Sequence, residues 1–127
     1  MLTVTIKDVH LARWGDVDNE DYVLYRVYDP TTLTTFYIGR SNDVFARILN
    51  HFAPMREKVS DSMIGLYRCY TKNRVLAEKH WRIDIYTLKE ASTLPFAVGL
   101  PPANLKPGKI EKAMIRFFRP CFNCLNG

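Results

Sequence analysis

Cysteine is scarce and odd in number: Cys69, Cys121 and Cys124 are the only three in 127 residues. An odd count in so short a chain does not make a secreted disulfide framework, and a reducing cytosol is the simpler setting. No apolar run approaches the ~20 residues that cross a bilayer, so no membrane partner is expected. Met1 to His10 alternate between apolar and polar residues instead of forming the apolar core of a signal peptide. Internal repeats and low-complexity tracts are missing as well. These absences set aside secreted, membrane-spanning and solenoid classes and point to a cytoplasmic protein.

What is present fits one compact domain. Apolar residues make up 47% and charged residues 24% of the chain, ordinary values for a globular protein. At this length one sizeable core can be buried, and stability requires neither disulfides nor a structural metal. The formal net charge is +5, from 18 Lys and Arg against 13 Asp and Glu, a balance that favours polyanionic partners such as DNA or RNA.

Periodicity divides the chain. Thr3 to Lys7 alternates with period two and reads as a strand; Gly15 to Asp21 is polar and acidic and reads as a loop. Tyr22 to Tyr28 (YVLYRVY) is rich in aromatic and β-branched residues and reads as a strand. Asp29-Pro30-Thr31-Thr32 signals a turn, and Thr35 to Gly39 (TFYIG) reads as the antiparallel partner strand. Ser41 and Asn42 offer an N-cap for a helix over Asp43 to Phe52, with Val44, Phe45, Ile48, Leu49 and Phe52 as its apolar arc. A longer helical region starts near Glu57 or Ser60, carries Val59, Met63, Leu66, Tyr67 and Tyr70 at helical spacing, and runs to Lys79 with a break near Asn73. Trp81 to Leu88 (WRIDIYTL) alternates as a strand. Ser92 to Gly108 holds four prolines and reads as an extended loop, of a length that is often functional. Lys109 to Phe118 reads as a closing helix ahead of Pro120. The order β, ββ, α, α, β, α predicts an α+β domain with a small, mostly antiparallel sheet flanked by helices: three core strands, with the N-terminal strand as an addition. Residues 1–21 form an N-terminal extension, an edge strand and a loop, to a main domain over 22–127.

Some residues sit where bare folding would not place them. At 100° steps Ile110, Met114, Phe117, Phe118 and Ile115 make a broad apolar arc on the last helix, and Glu111 falls inside it, opposite Lys109, Lys112 and Arg116. A carboxylate facing a core is costly unless paired, so Glu111 is a metal ligand or an ion-pair partner in a cleft. Alternatively it is a first-turn Glu favoured by the helix dipole. Arg47 and His51 are four residues apart and share a helix face that borders the apolar arc. They are either a phosphate-gripping pair or a snorkelling Arg beside a surface His. Tyr25, Tyr28 and Tyr37 are consistent with strand composition alone. Cys121-x-x-Cys124 has no second pair to complete a zinc site and no thioredoxin-like context, so packing is its simpler role.

Taken in order, these residues resemble the GIY-YIG endonuclease family. Val23-Leu24-Tyr25 and Tyr37-Ile38-Gly39 look like the two tripeptides that name it. The second matches fully, whereas the first keeps only its tyrosine. Tyr37-Ile38-Gly39-Arg40-Ser41, followed by Arg47 and His51, resembles the family's second block. Glu111, Ile115, Pro120 and Asn123 resemble its closing block. The likeness spans Tyr22 to Asn123.

The resemblance implies a metal-dependent DNA endonuclease of restriction, phage or mobile-element, or repair type, acting in a host cytoplasm if phage-encoded. Glu111 would hold one divalent cation, Mg²⁺ or Mn²⁺, that acts as a Lewis acid on the scissile phosphate. Arg47 would stabilise developing charge, and Tyr25, Tyr37 or His51 would take the proton of the attacking water. Asn123 would hold the closing segment in the site. Double-stranded DNA would be held through Arg40, Arg56, Lys72, Arg74 and Lys109, with Lys58, Arg68 and Lys106 as further candidates; such contacts position the duplex without reading it. Base reading would fall to the proline-rich loop, the N-terminal strand or a homodimer. The competing expectation is a catalytically inactive nucleic-acid-binding or adaptor module on the same fold.

Overall fold

A computed structural model describes residues 1–15, 22–53, 61–95 and 106–122. In chain order its elements are β1 (Leu2–Thr5), α1 (Ile6–His10), β2 (Tyr22–Asp29), β3 (Thr34–Arg40), α2 (Val44–Phe52), α3 (Asp61–Lys72), α4 (Arg74–His80), β4 (Arg82–Thr87), α5 (Leu88–Ser92) and α6 (Pro107–Phe118). The chain is α+β. Its one described sheet is antiparallel throughout, in the order β1-β4-β2-β3. The expected N-terminal strand is present at the sheet edge, paired to β4 from Leu2↔Ile85 to Thr5↔Arg82.

Side chains of successive strand residues point to opposite faces, and here both faces are covered. Tyr25, Val27, Tyr37, Ile83 and Ile85 pack with Val4, Ile6 and Val9 beneath α2, α3 and α4. Leu24, Ile38 and Tyr86 face the other way, against Ala91 of α5 and Ile110, Met114 and Ile115 of α6. Double coverage explains why YVLYRVY is almost continuously apolar instead of alternating cleanly.

Several boundaries differ from the sequence reading. β1 ends at Thr5, not Lys7. Thr5 caps α1 by accepting from the Asp8 amide while the Asp8 carboxylate accepts from the Thr5 amide, a capping box that outweighs the strand alternation. An equivalent box between Thr87 and Glu90 ends β4 one residue early and starts α5, so the expected loop from Ser92 begins after a helical turn; its residues 96–105 lie outside the described residues. Asp43, not Ser41 or Asn42, is the N-cap of α2, and its amide donates to the Ser41 hydroxyl. The break at Asn73 separates α3 from α4 as expected. Leu66 and Tyr70 of the helical stripe are buried; Val59 and the Met63 side chain lie outside the described residues, as does most of the acidic loop, 16–21.

At the turn, the Asp29 carboxylate accepts from the Thr31 amide and hydroxyl at 2.8 and 2.6 Å. β3 then carries an extra residue: Val27 faces Tyr37 while Tyr28 faces Thr35. The bulged residue Phe36 packs on Trp81, ring centroids 4.2 Å apart. After α6 the chain returns along this strand, with the Cys121 and Phe122 amides donating to the Thr35 and Phe36 carbonyls.

Candidate active site

β2, β3 and α2 each contribute to one cluster. The central strand β2 presents Tyr25 and the edge strand β3 presents Tyr37 on the same face, their rings stacked at 6.1 Å and 25°. α2 lies over them and lowers His51, which is wholly buried, between the two tyrosines. Its ring centroid is 4.6 Å from that of Tyr37, and its Nε2 is 2.6 Å from the Tyr25 hydroxyl. Arg47, one turn earlier on α2, acts by charge and hydrogen bonding on the same hydroxyl. His51 is therefore not a surface residue.

Gly39 makes this packing possible. It is the Cα partner of Tyr25, and the Tyr25 ring lies across it. A Cβ on Gly39 would stand 2.5 Å from Cζ of that ring, a separation that real side chains do not tolerate. The glycine of Tyr37-Ile38-Gly39 is thus required by contact, not by backbone twist.

Burial sets the protonation states. It raises the Tyr25 pKa well above the ordinary phenol value; Tyr37 raises it further, Arg47 opposes, and the Glu111 carboxylate adds a smaller upward push. Burial, followed by Arg47, lowers the His51 pKa to about 3. At neutral pH Tyr25 is a phenol and His51 a neutral imidazole, so the Tyr25 hydroxyl donates to Nε2. The imidazole proton then belongs on Nδ1, assigned from this network. Nδ1 is buried and has no protein partner among the described residues.

Glu111 lies on the other side of the β3 edge. Its Oε1 accepts from Arg40 Nε at 3.2 Å. Its pKa is raised by burial, against the opposing charges of Arg40 and Lys112. α6 starts at Pro107, two residues earlier than the expected Lys109, and has no acidic residue in its first turn. The helix-dipole explanation for Glu111 therefore fails, and the pairing in a cleft holds. That cleft, of about 420 Å³, is lined by Arg40, Lys106, Pro107, Gly108, Lys109, Glu111 and Lys112. Phe117 departs from the expected apolar arc: it is 57% exposed.

The structure brings together Tyr25, Tyr37, Arg47 and His51, and separately Arg40, Lys109 and Glu111. Asn123 and Arg56 lie outside the described residues, as do Lys58 and Cys124. Lys72 and Arg74 are exposed at the α3–α4 junction, where Arg74 Nε donates to Glu78 at 3.3 Å; no described contact ties them to either group. Cys121 is exposed and Cys69 partly buried. No group of three or more His, Cys, Asp or Glu is placed to hold a metal among the described residues. No described helix is long and apolar enough to cross a membrane.

One polar cluster was not anticipated. Asp84 is buried on the α5–α6 face and accepts from Thr3 Oγ1 at 2.8 Å and the Tyr28 hydroxyl at 3.0 Å. Arg26, stacked between Tyr28 and Phe118, is 3.8 Å away. The signal was an acidic residue, Asp84, inside WRIDIYTL and an arginine, Arg26, inside YVLYRVY, which the sheet register sets opposite each other.

No family model matches the chain, and no curated protein or solved structure matches it.

Proposed function

We propose that this protein is a metal-dependent DNA endonuclease of the GIY-YIG type, hydrolysing phosphodiester bonds in double-stranded DNA. The observation that carries the reading is the convergence of Tyr25, Tyr37, Arg47 and His51 on one face of the sheet, with Glu111 paired to Arg40 of the same strand β3 in a basic cleft. Hydrolysis joins water oxygen to phosphorus, breaks the bond to the departing 3′ oxygen, and moves a proton from the water to that oxygen.

Tyr37 is the more accessible of the two tyrosines, at 8% exposed against 0% for Tyr25. It orients the attacking water. Tyr25 and His51 behind it hold the ring in place and offer a 2.6 Å path for a proton. Arg47 and Arg40 stabilise charge on the phosphoryl oxygens. The donor set fits a hard divalent cation that keeps most of its water: Glu111 supplies one carboxylate, and Arg40 engages only Oε1. Mg²⁺ or Mn²⁺ there would supply Lewis acidity at the phosphate.

The second reading is a non-catalytic binding module. The full burial of Tyr25 and His51 favours it, because neither touches substrate in this conformation. Supercoiled plasmid separates the two. Wild type with Mg²⁺ is expected to yield nicked or linear DNA, whereas Glu111→Ala, or wild type in excess EDTA, leaves it intact. Retardation of uncut plasmid by wild type in both Mg²⁺ and Mn²⁺ would favour the binding module.

A further inference from the structure

The outer face of α6 has no part in the core. Lys109, Lys112 and Arg116, with Arg119 at the C-cap, are all exposed. At 100° per residue they fall within an arc of ~80°, and no other residue of α6 shares it. The inner arc buries Ile110, Ala113, Met114 and Ile115. None of the four cations forms an ion pair among the described residues. Arg116 lies back along the helix, its Nε donating to the Lys112 carbonyl at 3.4 Å.

The ends of this ridge are informative. One end is continuous with the Glu111 cleft, whose lining includes Lys109 and Lys112. The other borders a hollow of about 560 Å³ lined by Ile115, Arg116, Arg119 and Pro120. Arg119 has φ 51 and ψ 60, a left-handed conformation disfavoured for any residue with a Cβ and ordinarily given to glycine at a helix end. The chain keeps an arginine there.

We propose that the outer face of α6 is a track for the duplex-DNA backbone, in which Lys109, Lys112, Arg116 and Arg119 follow one strand and lead it to the Arg40–Glu111 cleft. The occupant rests on the nuclease reading. From Lys109 to Arg119 the ridge is ~15 Å long, which at ~3.4 Å of duplex axis per phosphate of one strand spans about four or five phosphates. An arc free of apolar side chains does not suit insertion into a lipid surface, whereas evenly spaced cations match a regular polyanion.

Binding to a mixed-sequence duplex of about 20 base pairs, followed by fluorescence anisotropy in EDTA over a salt series, tests the track without cleavage. The variant Lys112→Gln/Arg116→Gln/Arg119→Gln is compared with Lys7→Gln/Arg13→Gln/Lys79→Gln, which removes the same charge from exposed sites elsewhere. Each backbone contact contributes ~0.9 to the slope of log K against log salt. The ridge variant is therefore expected to flatten that slope by ~2.7 and to lose at least tenfold in affinity near 0.1 M salt, while the control keeps most of both. Arg119→Gly alone is expected to raise Tm by a few degrees while weakening binding, an opposition that a purely structural role for Arg119 does not produce. Equal slopes for ridge and control variants, unchanged binding by Arg119→Gly, or no duplex binding by wild type would each overturn the track. The nuclease reading fails separately. Ridge-dependent binding without plasmid cleavage leaves the track standing alone. Cleavage that survives neutralisation of the ridge removes the track and keeps the nuclease.

Discussion

At the scale of single residues, Gly39 and Tyr25 show how a contact sets a motif. The ring of Tyr25 needs the space that a side chain on Gly39 would fill. Gly39→Ala is expected to cost ~1–3 kcal/mol, in the manner of an overpacked core, and to reduce plasmid cleavage more than the stability loss explains, because the ring must leave His51 Nε2. Thermal unfolding and cleavage assays on the same preparation check this. A variant with wild-type Tm and wild-type cleavage would mean that the Tyr25–His51 contact is unimportant. Tyr37 and His51 were candidates through the family resemblance. That Tyr25 donates to His51, and that His51 is neutral, followed only from burial.

At the scale of elements, Asp84 joins three strands. Thr3 from β1, Tyr28 and Arg26 from β2, and Tyr86 from β4 itself all reach its carboxylate. Burial raises the pKa of both tyrosines, and the Asp84 charge raises it further, so their hydroxyls stay protonated donors. Removing the carboxylate leaves Arg26 as an uncompensated, largely buried charge. Asp84→Ala is expected to destabilise the fold by ~3–5 kcal/mol, read as a lower urea midpoint, and Asp84→Asn by less because one oxygen still accepts. Equal stability of Asp84→Ala and wild type would show that the cluster is dispensable. Short elements were the least legible in the sequence. α1 and α5 each have five residues, too few to display a helical period, and their capping boxes are the only local mark they carry.

At the scale of the whole molecule, buried titratable groups couple the site to stability. The His51 pKa lies at about 3 in the folded chain and near ~6.5 when unfolded. The unfolded chain therefore binds the proton first as pH falls. This contribution is full above ~6.5 and declines toward pH 3, by up to ~1.4 kcal/mol per pH unit and on the order of 5 kcal/mol in total. Glu111 works in the opposite sense. Its folded pKa is raised, so what it contributes at low pH is lost as pH rises through that value. His51→Gln is expected to flatten the loss of Tm between pH 6.5 and 4, measured by circular dichroism. An unchanged acid limb in His51→Gln would indicate that His51 is protonated as easily in the fold as out of it.

The sequence alone determined the strands of the hairpin, the long helices and the α+β class, each of which rests on local period; the ordered set from Tyr25 to Glu111 came from the family resemblance. It did not fix which face of the sheet each residue serves, because a sheet covered on both sides erases the alternation that would reveal it. Nor could it separate a dipole-favoured Glu111 from one paired in a cleft, since two residues of helix start decided between them. Tertiary structure alone placed a neutral His51 between two tyrosines, gathered four hydroxyl and guanidinium groups around Asp84, and left one face of α6 wholly cationic beside Glu111. Those arrangements depend on residues far apart in the chain meeting away from water, where burial sets their charge.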